Sequence, residues 1–106
     1  MKNLLLLLLL VSGIACSQIQ VKHFNASWNG ANDVEWVGDL SDCKIKWVDI
    51  ATDTEAQEKY EIVVVPTIIV FNGKEVKRFQ ADISFSMKAT KKDVQAAVDD
   101  ILMSDF

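Results

Sequence analysis

The chain predicts an α/β domain of order β-α-β-α-β-β-α, a four-stranded mixed sheet with helices on both faces. Three observations carry this. Residues 19–24 and 44–50 each alternate apolar and polar side chains, as half-buried strands do. Residues 62–71 form a β-branched apolar run ending in Asn72-Gly73, a strong hairpin signal because both residues tolerate positive φ. Val94, Ala97, Val98, Ile101 and Leu102 recur at helical spacing and give the last segment one apolar face to lay on a sheet.

The first strand sets Ile19, Val21 and His23 against Gln20, Lys22 and Phe24, and a polar turn over 25–32 follows it. Val34, Trp36, Val37 and Leu40 suggest a short helix of barely two turns before the loop at Ser41-Asp42 and the second strand. Thr54-Glu55-Ala56-Gln57 fits a capping box, which starts a helix running to about Tyr60. The run over 62–71 reads as a central strand interrupted by Pro66, and residues 74–81 form its return strand. Thr90, with Asp93 three residues on, caps the last helix. Two parallel strands joined by a right-handed crossover, then a hairpin, complete the sheet.

The 106 residues allow one small domain, and the first 17 have the layout of a secretory signal peptide. Met1-Lys2-Asn3 is a short basic start, residues 4–11 are unbroken apolar, and residues 12–17 are mostly small. The apolar run is shorter than the roughly 20 residues a transmembrane helix requires. Ala15 and Ser17 suit cleavage before Gln18, which leaves residues 18–106 as the exported domain, periplasmic or secreted. Cys16 offers the alternative of a lipid anchor, although Gly13 stands where lipoprotein signals carry an apolar residue. The full chain carries a net charge of −4, and removing residues 1–17 takes away only Lys2 among the charged groups. An acidic domain argues against nucleic-acid binding. Cys43 is then the one thiol left, so no internal disulfide can support the core.

The segment Phe24-Asn25-Ala26-Ser27-Trp28-Asn29-Gly30-Ala31-Asn32 resembles the active-site turn of the thioredoxin family, F-x-A-x-W-C-G-P-C, with asparagine at both cysteine positions. Val48-Asp49-Ile50 followed by Ala56-Gln57-Glu58-Lys59-Tyr60-Glu61-Ile62 is similar to the family's V-D-x … A-x-x-Y-x-I segment. Val65-Pro66-Thr67 and the residues through Gly73 resemble its V-P-T-x-x-x-F-x-N-G run. The resemblance spans nearly all of the domain and implies a thioredoxin-like fold without the extra N-terminal strand and helix. Thiol-disulfide exchange needs an attacking thiolate and a resolving thiol, and an amide is neither. By the same alignment, His23 and Trp47 replace the buried Asp and the Lys that assist proton transfer in the family. The segment between the turn and the second strand is also shorter than in the family, and residues 82–88 are longer.

The resemblance implies that Pro66 is cis and exposes backbone groups of Val65 to an extended peptide, a form of strand addition. A binding groove would then comprise Trp28, Asn29, Gly30, Ala31, Asn32, Val65, Pro66 and Thr67. The blander reading keeps Pro66 for the geometry of the fold alone and lets Asn29 and Asn32 cap a short helix. Cys43 is a candidate reactive thiol, or simply a partly buried cysteine. His23, the only histidine, cannot build a metal site alone and reads as a strand-end residue packed under the turn. Asn25-Ala26-Ser27 matches a glycosylation sequon. No metal or cofactor is expected. The function expected is a non-catalytic module binding an extended peptide or partner protein, the alternatives being a single-cysteine thiol protein or a structural accessory subunit. Mass spectrometry of the exported protein is expected to find Gln18 at its N-terminus, whereas a lipidated Cys16 there would identify an anchored form.

Overall fold

A computed structural model of the chain describes residues 19–104. The expected signal peptide over 1–17, the expected cleavage site before Gln18, and Cys16 lie outside the described residues. The sheet contains β1 (Ile19–Asn25), β2 (Lys44–Asp49), β3 (Thr67–Asn72) and β4 (Glu75–Gln80) in spatial order β2-β1-β3-β4. Helix α1 is Thr54–Lys59 and helix α2 is Lys91–Ser104. β1 pairs parallel with β2 and antiparallel with β3, and β3 and β4 form the hairpin. This is the expected order and mixed sheet, with 3₁₀ turns in place of the first helix.

The pleat divides the core in two. Ile19, Val21, Ile68 and Val70 pack against Val94, Ala97, Val98 and Ile101 of α2, together with Val34, Val37 and Leu40. On the other face Phe24, Val48 and Ile69 pack against Ala56 of α1 and against Ile50, Ile62 and Val65. Fully burying a side chain of the size of Phe24 or Ile69 stabilises the fold by about 1.5–3 kcal/mol. The second face is what keeps so short a helix as α1 in place, because six residues form no stable helix alone.

Four local expectations are corrected. Residues 34–40 form no α-helix; a 3₁₀ segment, Glu35–Asp39, replaces it. Val34 and Leu40 leave helical backbone angles on either side, and five residues are too few for α-helical bonds to build on one another. The cap of α1 is Asp53 and not Thr54, since the Asp53 carboxylate accepts the Ala56 N–H at 3.1 Å. The run over 62–71 is strand only from Thr67, because α1 first closes with Glu61 in the left-handed region (φ 52°). There the Glu61 N–H donates to the Glu58 carbonyl and the Ile62 N–H to the Gln57 carbonyl, a Schellman closure. At the hairpin only Gly73 takes positive φ (81°); Asn72 remains the last residue of β3.

The capping box of α2 forms as the sequence implies. The Thr90 N–H donates to Asp93 Oδ2 at 2.8 Å, and the Asp93 N–H donates to Thr90 Oγ1 at 3.2 Å. Replacing Thr90 by Ala is expected to lower unfolding free energy by about 1 kcal/mol. A urea titration with an unchanged m-value would check it.

Candidate functional site

The site is built at the C-terminal end of β1, where the strand passes into a 3₁₀ segment, Ser27–Asn32. The Asn29 N–H donates to the Ala26 carbonyl and the Asp33 N–H to the Gly30 carbonyl, so two short turns follow one another. Asn29, between them, has non-helical angles (φ −111°, ψ 21°). Neither Asn29 nor Asn32 acts as a helix cap, since both 3₁₀ segments begin without a side-chain cap. Their amides instead bond to side chains and to a distant loop.

Asn25 organises that network. Its Nδ2 donates to the Asn29 carbonyl at 3.1 Å and to Asp33 Oδ1 at 2.6 Å, while its Oδ1 accepts from Asn29 Nδ2 at 3.1 Å. Asn32 Nδ2 donates to Asn29 Oδ1 at 2.8 Å, and Asn29 Nδ2 reaches the Phe85 carbonyl at 3.4 Å. Asn25 and Asn29 are buried, so each bond lost would leave a polar group short of a partner at a cost of about 1–3 kcal/mol. Asn25, the acceptor of the sequon, is thus buried with its amide nitrogen engaged, while Ser27 is exposed. Asp49 ties the turn to the end of β2, where its Oδ1 accepts the Ser27 and Ala51 N–H groups.

The network leaves Trp28 outside. The indole is 67% exposed and meets the Phe85 ring edge-on, with centroids 5.5 Å apart. Phe85 comes from the 82–88 loop and stands in the left-handed region (φ 63°), a conformation costing a bulky residue roughly 1–2 kcal/mol. Asp82 braces that loop: its carboxylate accepts the Ser84 N–H and hydroxyl, pairs with Lys88, and is held down at about 2 chiefly by the Ser84 bonds. Phe85 could not be found from the sequence, because nothing in residues 82–88 signals a contact 57 positions upstream.

The Val65-Pro66 peptide bond is cis. Val65, Pro66 and Thr67 are buried, and Thr67 Oγ1 donates to the Val64 carbonyl, so these three side chains offer no surface. The Pro66 carbonyl accepts from the Ala81 N–H. Among the described residues the Val65 N–H and C=O have no hydrogen-bond partner. Gly30 and Ala31 are exposed and Asn32 half-buried. The predicted residues therefore share one end of the sheet, with Trp28 as the prominent exposed side chain among them.

A cavity of about 410 Å³ opens beside the turn on the β2 side, lined by His23, Trp47, Asp33 and Asp49 among others. It presents an indole face, carboxylates and a buried imidazole, and no thiol. His23 and Trp47 are register partners on neighbouring strands, with ring centroids 4.6 Å apart. His23 Nε2 accepts the Val34 N–H at 3.0 Å, which assigns the proton of the neutral ring to Nδ1. Burial pushes the imidazole below its ordinary range, partly opposed by the charge of Asp33. Cys43 is elsewhere. It precedes Lys44, which pairs with Gln20 at the opening of β1, roughly 16 Å of strand away from Asn25. Burial and then the Asp42 charge push its thiol up, so little thiolate forms at neutral pH. Among the described residues no cluster of His, Cys, Asp and Glu is arranged to hold a metal, and no helix is long and apolar enough to cross a membrane.

Protonating His23 would remove the acceptor of a buried backbone N–H. The unfolded chain takes up that proton near pH 6.5, while the folded chain resists it, so unfolding free energy is full above pH 6.5 and falls as pH drops toward the lower folded value. Denaturant titrations between pH 7.5 and 5.5 are expected to show this loss in the native protein and not in His23→Gln. Carboxylates contribute little over that interval because they titrate below it.

No protein-family model matches the chain, and neither does any characterised protein sequence. Solved structures do. A mutant thioredoxin of Halobacterium salinarum superimposes with a TM-score of 0.63 at 15% identity, over 81% of this chain and 76% of that one. Thioredoxin 1 of Thermosipho africanus gives 0.61 at 15% identity, over 81% and 97%. The thioredoxin of Fasciola hepatica gives 0.57 at 21% identity, over 89% of each chain. The chain thus has a thioredoxin-like fold, and it carries no adjacent pair of cysteines.

Proposed function

We propose that this protein is an exported, non-catalytic binding module that takes an extended peptide or a partner protein at the end of the sheet where Trp28 stands. In this reading Asn29 and Asn32 occupy the positions of the two redox thiols, and the amide network that replaces them holds a recognition surface in place of a reaction centre. The observation that carries it is the Trp28–Phe85 pair, two large exposed rings at the same end of the sheet as the Val65 backbone. The turn that carries Trp28 is braced by buried hydrogen bonds, so its backbone loses little entropy on binding, and tryptophan is effective at the centre of an interface. Ile83, in the same loop, is 97% exposed. The Val65 N–H and C=O, without a hydrogen-bond partner among the described residues, are the groups that an added strand would pair with in this reading. The left-handed Phe85 supports the reading, since strain of this kind gathers at functional surfaces. Export rests on the basic, apolar and small-residue layout of residues 1–17.

Binding is tested by screening a peptide array and titrating the hits against the protein by calorimetry. Trp28→Ala is expected to weaken binding roughly 30-fold or more, as loss of a central tryptophan costs about 2 kcal/mol or more. Trp47→Ala, on the β2 side of the turn, is expected to leave affinity unchanged. Binding that ignores Trp28→Ala, or an array with no hits, would overturn the proposal.

A further inference from the structure

The opposite face of β1 carries a second feature. Lys22 lies there, and its Nζ donates to the Tyr60 hydroxyl at 2.8 Å. The same ammonium is 4.8 Å from the Tyr60 ring centroid and 5.0 Å from that of Phe71. Lys59 Nζ lies 5.2 Å from the Tyr60 centroid on its own. Lys74, from the hairpin, joins them around a cavity of about 460 Å³, within the size range of small-molecule sites. Gly73 also lines it, and a Cβ there would face open space.

What distinguishes this cavity is its chemistry. No carboxylate lines it, although the chain as a whole is acidic. Among the described residues none of the three lysines is in an ion pair, and Glu75, next to Lys74, is taken by Arg78 at 2.8 Å. Lys22 uses the hydroxyl of Tyr60 as an acceptor, so the phenolic hydrogen is left to donate. Within this cavity the ammonium donors of the three lysines and the phenolic hydrogen thus face no carboxylate, although Lys22, Lys59 and Tyr60 also line an adjoining cavity with Asp53 and Glu55. The ammonium groups of Lys22 and Lys59 both lie against the Tyr60 ring, and an anion joining them offsets their mutual repulsion. The Tyr60 hydroxyl registers the same field, held below the usual phenol range chiefly by the Lys22 bond.

We propose that this cavity binds a small phosphate monoester, its oxygens on the ammonium groups of Lys22, Lys59 and Lys74 and the Tyr60 hydroxyl, and its organic group against Phe71. Charge-assisted bonds from several donors to one phosphoryl group supply the affinity, and the ring favours a planar organic group. The site lies toward the hairpin end of the sheet, away from Trp28, and does not depend on the peptide-binding proposal.

The test is a titration of the purified protein with phenyl phosphate at constant ionic strength, followed by amide chemical shifts, with phenol as the uncharged control. Saturable shifts are expected at residues 20–22, 59–60 and 71–74 with phenyl phosphate and not with phenol. Lys22→Gln combined with Lys59→Gln is expected to weaken binding at least ten-fold, whereas Lys91→Gln with Lys92→Gln, in the first turn of α2, leaves it unchanged. Should the first pair lose the native amide spectrum, Lys74→Gln on the exposed hairpin replaces it, with about a three-fold loss expected. Absence of saturable shifts at those residues, equal binding of phenol, or equal weakening by the α2 pair would overturn the proposal.

Discussion

Everything in this fold depends on the register of β1. It is an inner strand, paired parallel with β2 and antiparallel with β3, and covered on both faces. Ile19 and Val21 enter the core under α2, and Phe24 enters the core under α1. A shift of one residue would exchange these faces and send Lys22 into the α2 core. The same register places His23 beside Trp47 on one face, Lys22 beside Tyr60 and Phe71 on the other, and Asn25 at the end where the turn begins. Fold and both sites are consequences of a single pairing.

At that end of β1, amides do work that charged or nucleophilic groups could have done. Asn25, Asn29 and Asn32 satisfy one another's donors and acceptors, and they draw in Asp33 and the Phe85 carbonyl. A buried polar network of this kind is costly when incomplete and rigid when complete. Among the described residues no buried side-chain nitrogen or oxygen is left without a partner. The turn is therefore a fixed platform, and Trp28 is displayed on it. The thiol of Cys43 lies at the opposite end of the sheet with its ionisation suppressed.

Much of this was legible in the residues. Residue patterning located β1, β2 and β4 to within a residue but began β3 five residues early, the Thr90–Asp93 box was readable as a cap, and the thioredoxin-like segments implied the topology. Where reading failed, a local signal met a competing one a residue or two away. Asp53 outcompeted Thr54 for the cap of α1, and Glu61 turned the chain before the apolar run over 62–71 could extend. Asn29 and Asn32 looked like caps because asparagine commonly is one, yet the partners that claimed their amides include a strand residue and a loop 56 positions on.

The sequence by itself determined the order of elements, the two-sided core and the absence of a cysteine pair, because periodicity and residue identity are local properties. Only the tertiary structure decided that Phe85 packs on Trp28, that Trp47 covers His23, and that Lys22, Lys59 and Lys74 converge on one cavity. Each of these joins residues from separate elements, and their separation is set by strand pairing and loop closure. Neither leaves a mark at the positions that come to touch.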